Sequence, residues 1–296
     1  MAPTVRDGPA MATPSRRSRL ILLVLGAALT VVLAAAFVRG GANDASAIWP
    51  STVVRPSDGD GPRAPLGQPA GAWDIVFGDE FDGAGLDRSR WDDRSSAESD
   101  EGRGNRGNQQ LEWNQAENCL VRDGKLVMAA RRESHTSGAG EHYDWTSCLI
   151  SSSPSFSFQY GYIEERAILP APDGFWPAFW TWPVSAVDVP VETDVYEQYS
   201  AGSRELQMTQ HSGRRGACTW RLPFDPSADW HTYGVAIEQS GTVWYVDGIQ
   251  ICHSSATAEA PTNIISNLAV YAQSPPAAGT TATEKWVDHI RAWARR

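Results

Sequence analysis

The chain has 296 residues, of which 42% are hydrophobic and 20% charged, and its formal net charge is −10. This composition excludes a wholly disordered chain, a collagen and a coiled coil, and the length allows one large domain or two small ones. Because contact with a phosphate backbone needs clusters of lysine and arginine, we expect no nucleic-acid partner.

The chain begins with a short basic segment, 1–19, followed by an uncharged apolar segment, 20–38. The apolar segment is about long enough to span a bilayer as a helix, and the arginines before it favour a cytoplasmic N-terminus. A cleaved secretory signal is the alternative, because Ala45-Ser46-Ala47 resembles a cleavage site. Either interpretation places the rest of the chain outside the cytoplasm, anchored or secreted, with membrane contact only through this segment.

Residues 39–71 are rich in proline, glycine, aspartate and serine. Such a segment buries no apolar face and is typical of a semi-extended linker. The patterned part of the chain, 72–296, follows it and contains 12 of the 13 tryptophans. Indole rings fill cores but also form flat apolar platforms with a polar edge, so the abundance of tryptophan indicates a core, a binding surface or both.

All four cysteines lie in 72–296: Cys119, Cys148, Cys218 and Cys252. An even number in an exported domain predicts two disulfides, for which three pairings are possible. We favour the pairing of near neighbours, Cys119 with Cys148 and Cys218 with Cys252. The spacings fit no zinc-binding pattern.

The region 72–296 contains short β-rich runs bounded by Gly, Pro, Asp and Ser, and no helix-length amphipathic pattern. Asp123-Gly124 and Asp247-Gly248 each follow such a run and predict tight hairpins. Many short strands at close spacing predict an all-β sandwich or barrel.

Residues 191–199, Val-Glu-Thr-Asp-Val-Tyr-Glu-Gln-Tyr, predict a strand with an acidic face. Alternation places Glu192 and Asp194 on one face and apolar residues on the other. Glu197 is out of phase by one residue, and a β-bulge at Val195–Tyr196 restores it to the acidic face. Carboxyls crowded on one face repel one another, so one keeps its proton to a raised pKa. An ionised and a protonated carboxyl together are what glycoside hydrolysis uses.

The run GFWPAFW at 174–180 precedes this strand. Together with the pattern Glu192-x-Asp194-x-x-Glu197, it resembles the signature of family-16 glycoside hydrolases, in particular the laminarinase-like group of endo-β-1,3-glucanases. Further segments match the family in order along the chain: 79–83, 107–113, 123–127, 160–166, 231–233, 245–248 and 287–291. The resemblance covers nearly all of 72–296.

The resemblance implies an all-β jelly-roll sandwich of the concanavalin A-like type with a concave substrate cleft. It implies endo-hydrolysis of a β-linked polysaccharide, with β-1,3-glucan favoured, by a retaining mechanism that needs no cofactor. By position, Glu192 is the nucleophile, Glu197 the acid/base and Asp194 a supporting carboxylate. We expect a polysaccharide substrate and a monomer.

Aromatic residues near the acids are the candidate sugar contacts. Strand alternation places Trp176, Trp180 and Trp182 on one face, where indole rings can stack on sugars. The family has sugar contacts at positions that match Trp176 and Trp180. Three further candidates complete the set: Trp113, Tyr196 and His211.

Members of the family often carry a structural calcium ion away from the cleft. Glu80, the carbonyl of Gly124 and Asp288 match its ligand positions, and oxygen ligands suit Ca²⁺. The resemblance therefore adds a candidate structural Ca²⁺ site on the far side of the sandwich.

Several positions depart from the family pattern. Tyr162 stands where arginine is usual, Thr193 replaces isoleucine or leucine, and Ile237 replaces a common tryptophan. These changes leave the catalytic carboxylates in place but lie in or near the cleft. Three alternatives therefore stay open: a galactan, agar or carrageenan hydrolase, a transglycosylase of the same family, and a non-catalytic glycan-binding protein.

Overall fold

The computed structural model describes residues 64–66, 72–153, 155–185, 187, 191–199, 204–213 and 215–296. The basic segment 1–19, the apolar segment 20–38 and most of the linker 39–71 lie outside these residues, so what the sequence predicts for them stays a prediction. No helix within the described ranges is both long enough and apolar enough to cross a membrane.

The domain is built almost entirely of β-strands, as the turn-bounded β-rich runs predict. In chain order they are β1 (Trp73–Asp79), β2 (Glu112–Asn114), β3 (Cys119–Arg122), β4 (Lys125–Arg131), β5 (His135–Thr136), β6 (His142–Tyr143), β7 (Trp145–Ser147), β8 (Leu149–Ser151), β9 (Gly161–Ile168), β10 (Phe175–Pro183), β11 (Glu192–Glu197), β12 (Glu205–His211), β13 (Gly216–Arg221), β14 (His231–Glu238), β15 (Gly241–Val246), β16 (Ile249–Ser254), β17 (Thr262–Val270) and β18 (Ala282–Arg295). Two short 3₁₀ turns, Arg106–Asn108 and Ala116–Asn118, lie between the early strands.

The strands form two large sheets and one small hairpin. In the part that the structure describes, a ten-stranded sheet has the order β16-β15-β14-β9-β18-β4-β7-β2, with β1 added beside β18 and β3 beside β4. A six-stranded sheet has the order β13-β12-β11-β10-β17-β8, and β5 pairs with β6. Neighbouring strands are antiparallel except for β2 and β7, which are parallel.

The main hydrophobic core lies between the two large sheets. It joins residues of the ten-stranded sheet, such as Met128 and Ile163, to residues of the six-stranded sheet, such as Phe179 and Leu268. Since alternate residues of a strand point to opposite faces, each sheet contributes one apolar face to this core. The predicted β-sandwich is confirmed, and one face of the six-stranded sheet is left for other uses.

Turns and disulfides follow the sequence closely. Asp123 and Gly124 have φ of 52° and 67°, and Asp247 and Gly248 have φ of 48° and 77°, which are the left-handed values that a two-residue hairpin turn needs. Both predicted disulfides are confirmed, Cys119 with Cys148 and Cys218 with Cys252. The second joins β13 to β16, and these strands form one edge of each sheet.

Candidate active site

The acidic strand β11 lies inside the six-stranded sheet, between β10 and β12. Phe179 pairs with Tyr196 and Trp180 with Asp194, so Val195 has no partner on β10. The register with β12 shifts over the same stretch. The predicted β-bulge is therefore confirmed, and it brings Glu197 onto the outer face of the sheet with Glu192 and Asp194. We call this the acid face.

Each acid on this face has a defined neighbour. Asp194 is 2% exposed, and its Oδ2 lies 3.1 Å from Nε2 of His211. The hydroxyl of Tyr199 donates to Oε1 of Glu197 at 2.9 Å. Glu192 lies across from His211 in the ladder, and one ligand atom each of Glu192, Asp194 and His211 fall within 4.8 Å of one another. The three carboxyls thus form one interacting group.

Burial raises the pKa of all three carboxyls above the ordinary range. The pKa of Glu192 is raised further by the charge of Asp194, and the pKa of Asp194 by the charge of Glu197. For Glu197, the hydrogen bond from Tyr199 opposes the effect of burial without cancelling it. The group therefore retains protons to a higher pH than separate carboxyls do. It can supply a carboxylate and a carboxylic acid side by side, as general acid and nucleophile catalysis require.

Aromatic side chains cover the rest of the acid face. Trp176 is 7% and Trp180 9% exposed, and the half-buried Trp182 packs beside them. The rings of Trp176 and Tyr199 lie 4.7 Å apart, and those of Trp176 and Tyr271 lie 5.6 Å apart. We call these five rings the aromatic row. The sequence predicts that the three tryptophans share a face, which is confirmed.

Tyr196 was a candidate sugar contact, and the structure contradicts this. Its side chain is fully buried between the sheets, where its hydroxyl donates to Oε2 of Glu165 at 2.5 Å. The reason is the bulge, because the extra residue that turns Glu197 outward leaves Tyr196 on the core face.

Trp113 is also not a platform beside the acids. It lies in β2 of the ten-stranded sheet, is 4% exposed, and has its ring stacked on His135 at 4.4 Å. Tyr143 contacts it as well. The Trp113 ring is therefore packed against aromatic neighbours outside the aromatic row.

The candidate calcium ligands do not fit a calcium site. Glu80 makes a two-pronged ion pair with Arg291 at 2.8 and 2.7 Å. Asp288 is paired with Lys125 and Arg166, both at 2.7 Å, and Nζ of Lys125 also donates to the carbonyl of Gly124 at 3.0 Å. Cationic side chains therefore already pair with the oxygens that a cation would bind. Hydrogen bonds from His289, Lys125 and Arg166 lower the pKa of Asp288 against the opposing effect of burial. A divalent ion there faces repulsion from Lys125.

We predict that calcium has no effect on stability. Adding EDTA should leave the thermal unfolding temperature unchanged, and adding calcium chloride should not raise it, since mass action stabilises only a protein that binds the ion. Differential scanning fluorimetry with magnesium chloride as an ionic-strength control measures this. A calcium-specific rise of several degrees contradicts the prediction.

Three residues of the acid face were not identified from the sequence. Tyr199 shares the phase of Glu197, two residues away, so alternation alone was a sufficient signal. Asn267, which accepts a hydrogen bond from Nε1 of Trp180 at 2.9 Å, and Tyr271 come from β17 and the turn after it. No local pattern identifies β17 as the partner of β10, so these two residues had no sequence signal.

The chain is similar to a known family of proteins. The family model "Glycosyl hydrolases family 16" matches residues 106–288. An endo-1,3-1,4-beta-glycanase of Rhizobium meliloti, EglC, is 29% identical over 239 residues, which are 74% of this chain and 51% of EglC. A second enzyme of the same name and organism, ExsH, is 32% identical over 182 residues, 59% of this chain and 39% of ExsH. The chain thus spans about half or less of the length of these relatives.

A solved structure has the same fold. The catalytic domain of an endo-1,3-beta-glucanase (laminarinase) from Thermotoga petrophila superposes with a TM-score of 0.69 at 28% identity, covering 77% of this chain and 100% of that domain. The two-sheet architecture is therefore a jelly-roll sandwich.

Proposed function

The chain belongs to glycosyl hydrolase family 16, and we propose that it is a retaining endo-β-glucan hydrolase acting on β-1,3-linked glucan. The observation that carries this proposal is the bulge in β11, which collects Glu192, Asp194 and Glu197 on one face beside the aromatic row. The relatives named for 1,3- and 1,3-1,4-β-glucan activity support the substrate class.

Glu192 and Glu197 carry out the two steps of the proposed reaction. Glu192 attacks the anomeric carbon while Glu197 gives its proton to the departing glycosidic oxygen, so the C–O bond breaks as a glycosyl–Glu192 ester forms. Glu197 then removes a proton from water, the water oxygen attacks the anomeric carbon, and the ester bond to Glu192 breaks. Two inversions at one carbon give net retention.

The neighbours of the acids support these roles. Burial holds the pKa of Glu197 above its ordinary value, which favours the protonated acid before it reacts. Asp194 lies between the two glutamates in β11, and its contact with His211 fixes its carboxyl against the sheet. The backbone carbonyl of Asp194 accepts a hydrogen bond from Nε1 of Trp244 at 2.8 Å, which fastens the strand to the core.

The aromatic row supplies the proposed sugar platform. A β-glucan presents apolar ring faces on which indole rings can stack. Trp176 and Trp180 lie in β10, the strand that pairs with the acidic strand β11. We assign Trp182 to the same platform and His211 to the edge of the cleft.

Two disulfides fit a domain that folds outside the cytoplasm. On this ground we propose that the domain is exported. It is then either attached to the membrane through residues 20–38 or secreted after cleavage of a signal segment.

A substrate panel tests the proposal. The purified protein is incubated with laminarin, lichenan, agarose, carrageenan and galactan, and the lengths of the products are measured. We expect laminarin to be cut first into intermediate oligosaccharides, which marks internal cleavage, and proton NMR to show the β-anomer forming before mutarotation. Cleavage only of a galactan overturns the substrate assignment. Binding without cleavage of any glycan overturns the enzymatic one.

A further inference from the structure

A lysine is completely buried in the core beneath the acid face. Lys285, in β18 of the ten-stranded sheet, has 0% exposure and lies 3.0 Å from Oε2 of Glu165, which is also fully buried. Nζ of Lys285 also donates to Oγ of Ser266 at 2.8 Å. Oγ of Ser266 in turn donates to Oε1 of Glu165 at 2.6 Å. We call Lys285, Glu165, Ser266 and Tyr196 the buried network.

The buried network contacts three neighbouring strands of the six-stranded sheet at the level of Ala178 and Phe179. Nζ of Lys285 donates to the backbone carbonyl of Ala178 at 3.1 Å, and Ala178 is the residue that pairs with Glu197. Ser266 and Tyr196 both pair with Phe179, the next residue of β10. Three adjacent strands, β10, β11 and β17, are thus tied to one ion pair directly behind the bulge.

Stability alone does not explain a buried ion pair. Removing two charges from water costs several kcal/mol per ion, and replacement by apolar residues is often neutral or stabilising. Burial accordingly lowers the pKa of Lys285, although the charge of Glu165 opposes this. A buried polar group of this kind fixes one arrangement among several, as in the register of a coiled coil. A bulge is a place where a strand can slip by one residue, which turns every side chain after it to the other face.

We propose that the buried network is a positioning device for the acid/base of the proposed reaction: Lys285 and Glu165 lock the bulge of β11 and thereby hold Glu197 at the glycosidic oxygen. This proposal rests on the proposed function. Lys285 and Glu165 are positioning residues, since they act through Tyr196 and Ala178 and touch no substrate.

Two variants test it. Lys285→Met combined with Glu165→Gln removes the ion pair without leaving an unpaired buried charge. Tyr196→Phe keeps the ring packing and removes only the hydroxyl that donates to Glu165. Leu126→Ala, a fully buried core change in β4 outside the network, serves as the control for lost stability. Circular dichroism establishes that each variant is folded at the assay temperature.

The substrates separate proton donation from other steps. Phenyl and 2,4-dinitrophenyl β-laminaribioside occupy the same subsites, but only the phenyl leaving group needs a proton from Glu197 to depart. For kcat/KM, which reports the formation of the ester on Glu192, the double variant should lose about tenfold with the phenyl substrate and less than about twofold with the dinitrophenyl one. Tyr196→Phe should show the same pattern with a smaller loss, and Leu126→Ala should affect both substrates alike.

The outcomes are distinct. Suppose that the wild type hydrolyses both substrates. If the network variants then lose the same factor of activity on both substrates, or lose no activity on either, the positioning role is wrong and the proposed function stands. If both the double variant and Tyr196→Phe fail to fold while Leu126→Ala folds, the network is structural and the positioning role is also wrong. If the wild type hydrolyses neither substrate nor any β-glucan, the proposed function fails, and the positioning role fails with it.

Discussion

A Glu192→Gln variant is expected to remain folded and to bind β-glucan while its rate of hydrolysis falls by about 10⁴-fold or more. The amide has the shape of the carboxyl but is a very poor nucleophile, so no glycosyl ester forms. Replacing the Glu192 carboxyl also reduces the electrostatic repulsion among the acids of this face. The fold should therefore not lose stability. Reducing-sugar release from laminarin and affinity electrophoresis measure the two properties.

A matched control is Glu205→Gln in β12, a change of the same type on the same sheet at an exposed glutamate paired with Arg221. It should retain the wild-type rate. A Glu192→Gln variant with wild-type-like turnover contradicts the assignment of the nucleophile.

Azide can separate the roles of the two glutamates. In a Glu192→Ala variant, azide can attack the anomeric carbon from the vacated side while Glu197 still protonates the leaving oxygen, which gives an α-glycosyl azide. In a Glu197→Ala variant given an activated aryl glycoside, azide attacks the ester on Glu192 instead and gives the β-glycosyl azide. The opposite pairing of products exchanges the two assignments.

The sequence predicted the parts of the site that depend on local phase. The position of Glu197, one residue out of step with Asp194, was sufficient to predict the bulge, and Asp-Gly pairs were sufficient to predict both hairpins. The same bulge sets Tyr196 on the core face, so its assignment as a sugar contact conflicted with a phase already present in the sequence. Tyr199, which has the right phase, was the better candidate.

Other features depend on strand neighbours that are far apart in the sequence. The ion pair of Lys285 and Glu165 needs β18 to lie beside β9, and the cations around Asp288 need the same arrangement together with β4. Nothing in the alternation of a single strand specifies its neighbour in a sheet. For this reason the resemblance identified the oxygens of the candidate calcium site and not the lysine and arginine that pair with them.

A buried pair of acids, Glu98 before β2 and Glu112 at the start of β2, should make the protein less stable as the pH rises. Burial raises the pKa of Glu98 to about 7 and that of Glu112 to about 8. Gln110 lies between them, and its amide nitrogen can donate to Oε2 of Glu98 at 3.0 Å and to Oε1 of Glu112 at 3.1 Å. Oε2 of Glu112 accepts from the backbone N–H of Val270 at 2.7 Å. Neither carboxyl has a cation among these partners.

The direction of the pH effect follows from proton binding. Below the ordinary pKa of 4.5, both carboxyls are protonated in the folded and in the unfolded chain, so neither makes the unfolding free energy depend on pH. Above it the unfolded chain ionises first, so the folded state binds more protons and loses stability until the pH passes the folded pKa. For Glu112, with a folded pKa of about 8, the loss at pH 9 is on the order of 5 kcal/mol. That is a large part of the stability of an ordinary domain.

A Glu112→Gln variant should therefore become more stable than the wild type at pH 9 and not at pH 5. The amide oxygen can still accept from the backbone N–H of Val270, so this hydrogen bond is kept. Urea unfolding at pH 5, 7 and 9 measures the difference in free energy between the two proteins at each pH. Taking this difference cancels the contributions of titrating groups that do not interact with Glu112, such as the acid face and His289, whose pKa is also raised. The charge of Glu98 acts on Glu112, so the difference reports the two carboxyls together.

Glu284→Gln is the control, because Glu284 lies at the surface, where it pairs with Arg122 at 2.6 Å. Its unfolding free energy should follow that of the wild type across the range, since an exposed ion pair contributes little to stability. If Glu112→Gln shows the same free-energy difference from the wild type at pH 5 and pH 9, the buried carboxyl is not protonated in the folded state at neutral pH. In that case Glu112 does not contribute to the loss of stability at high pH, and the raised pKa values of Glu98 and of the acid face remain as its sources.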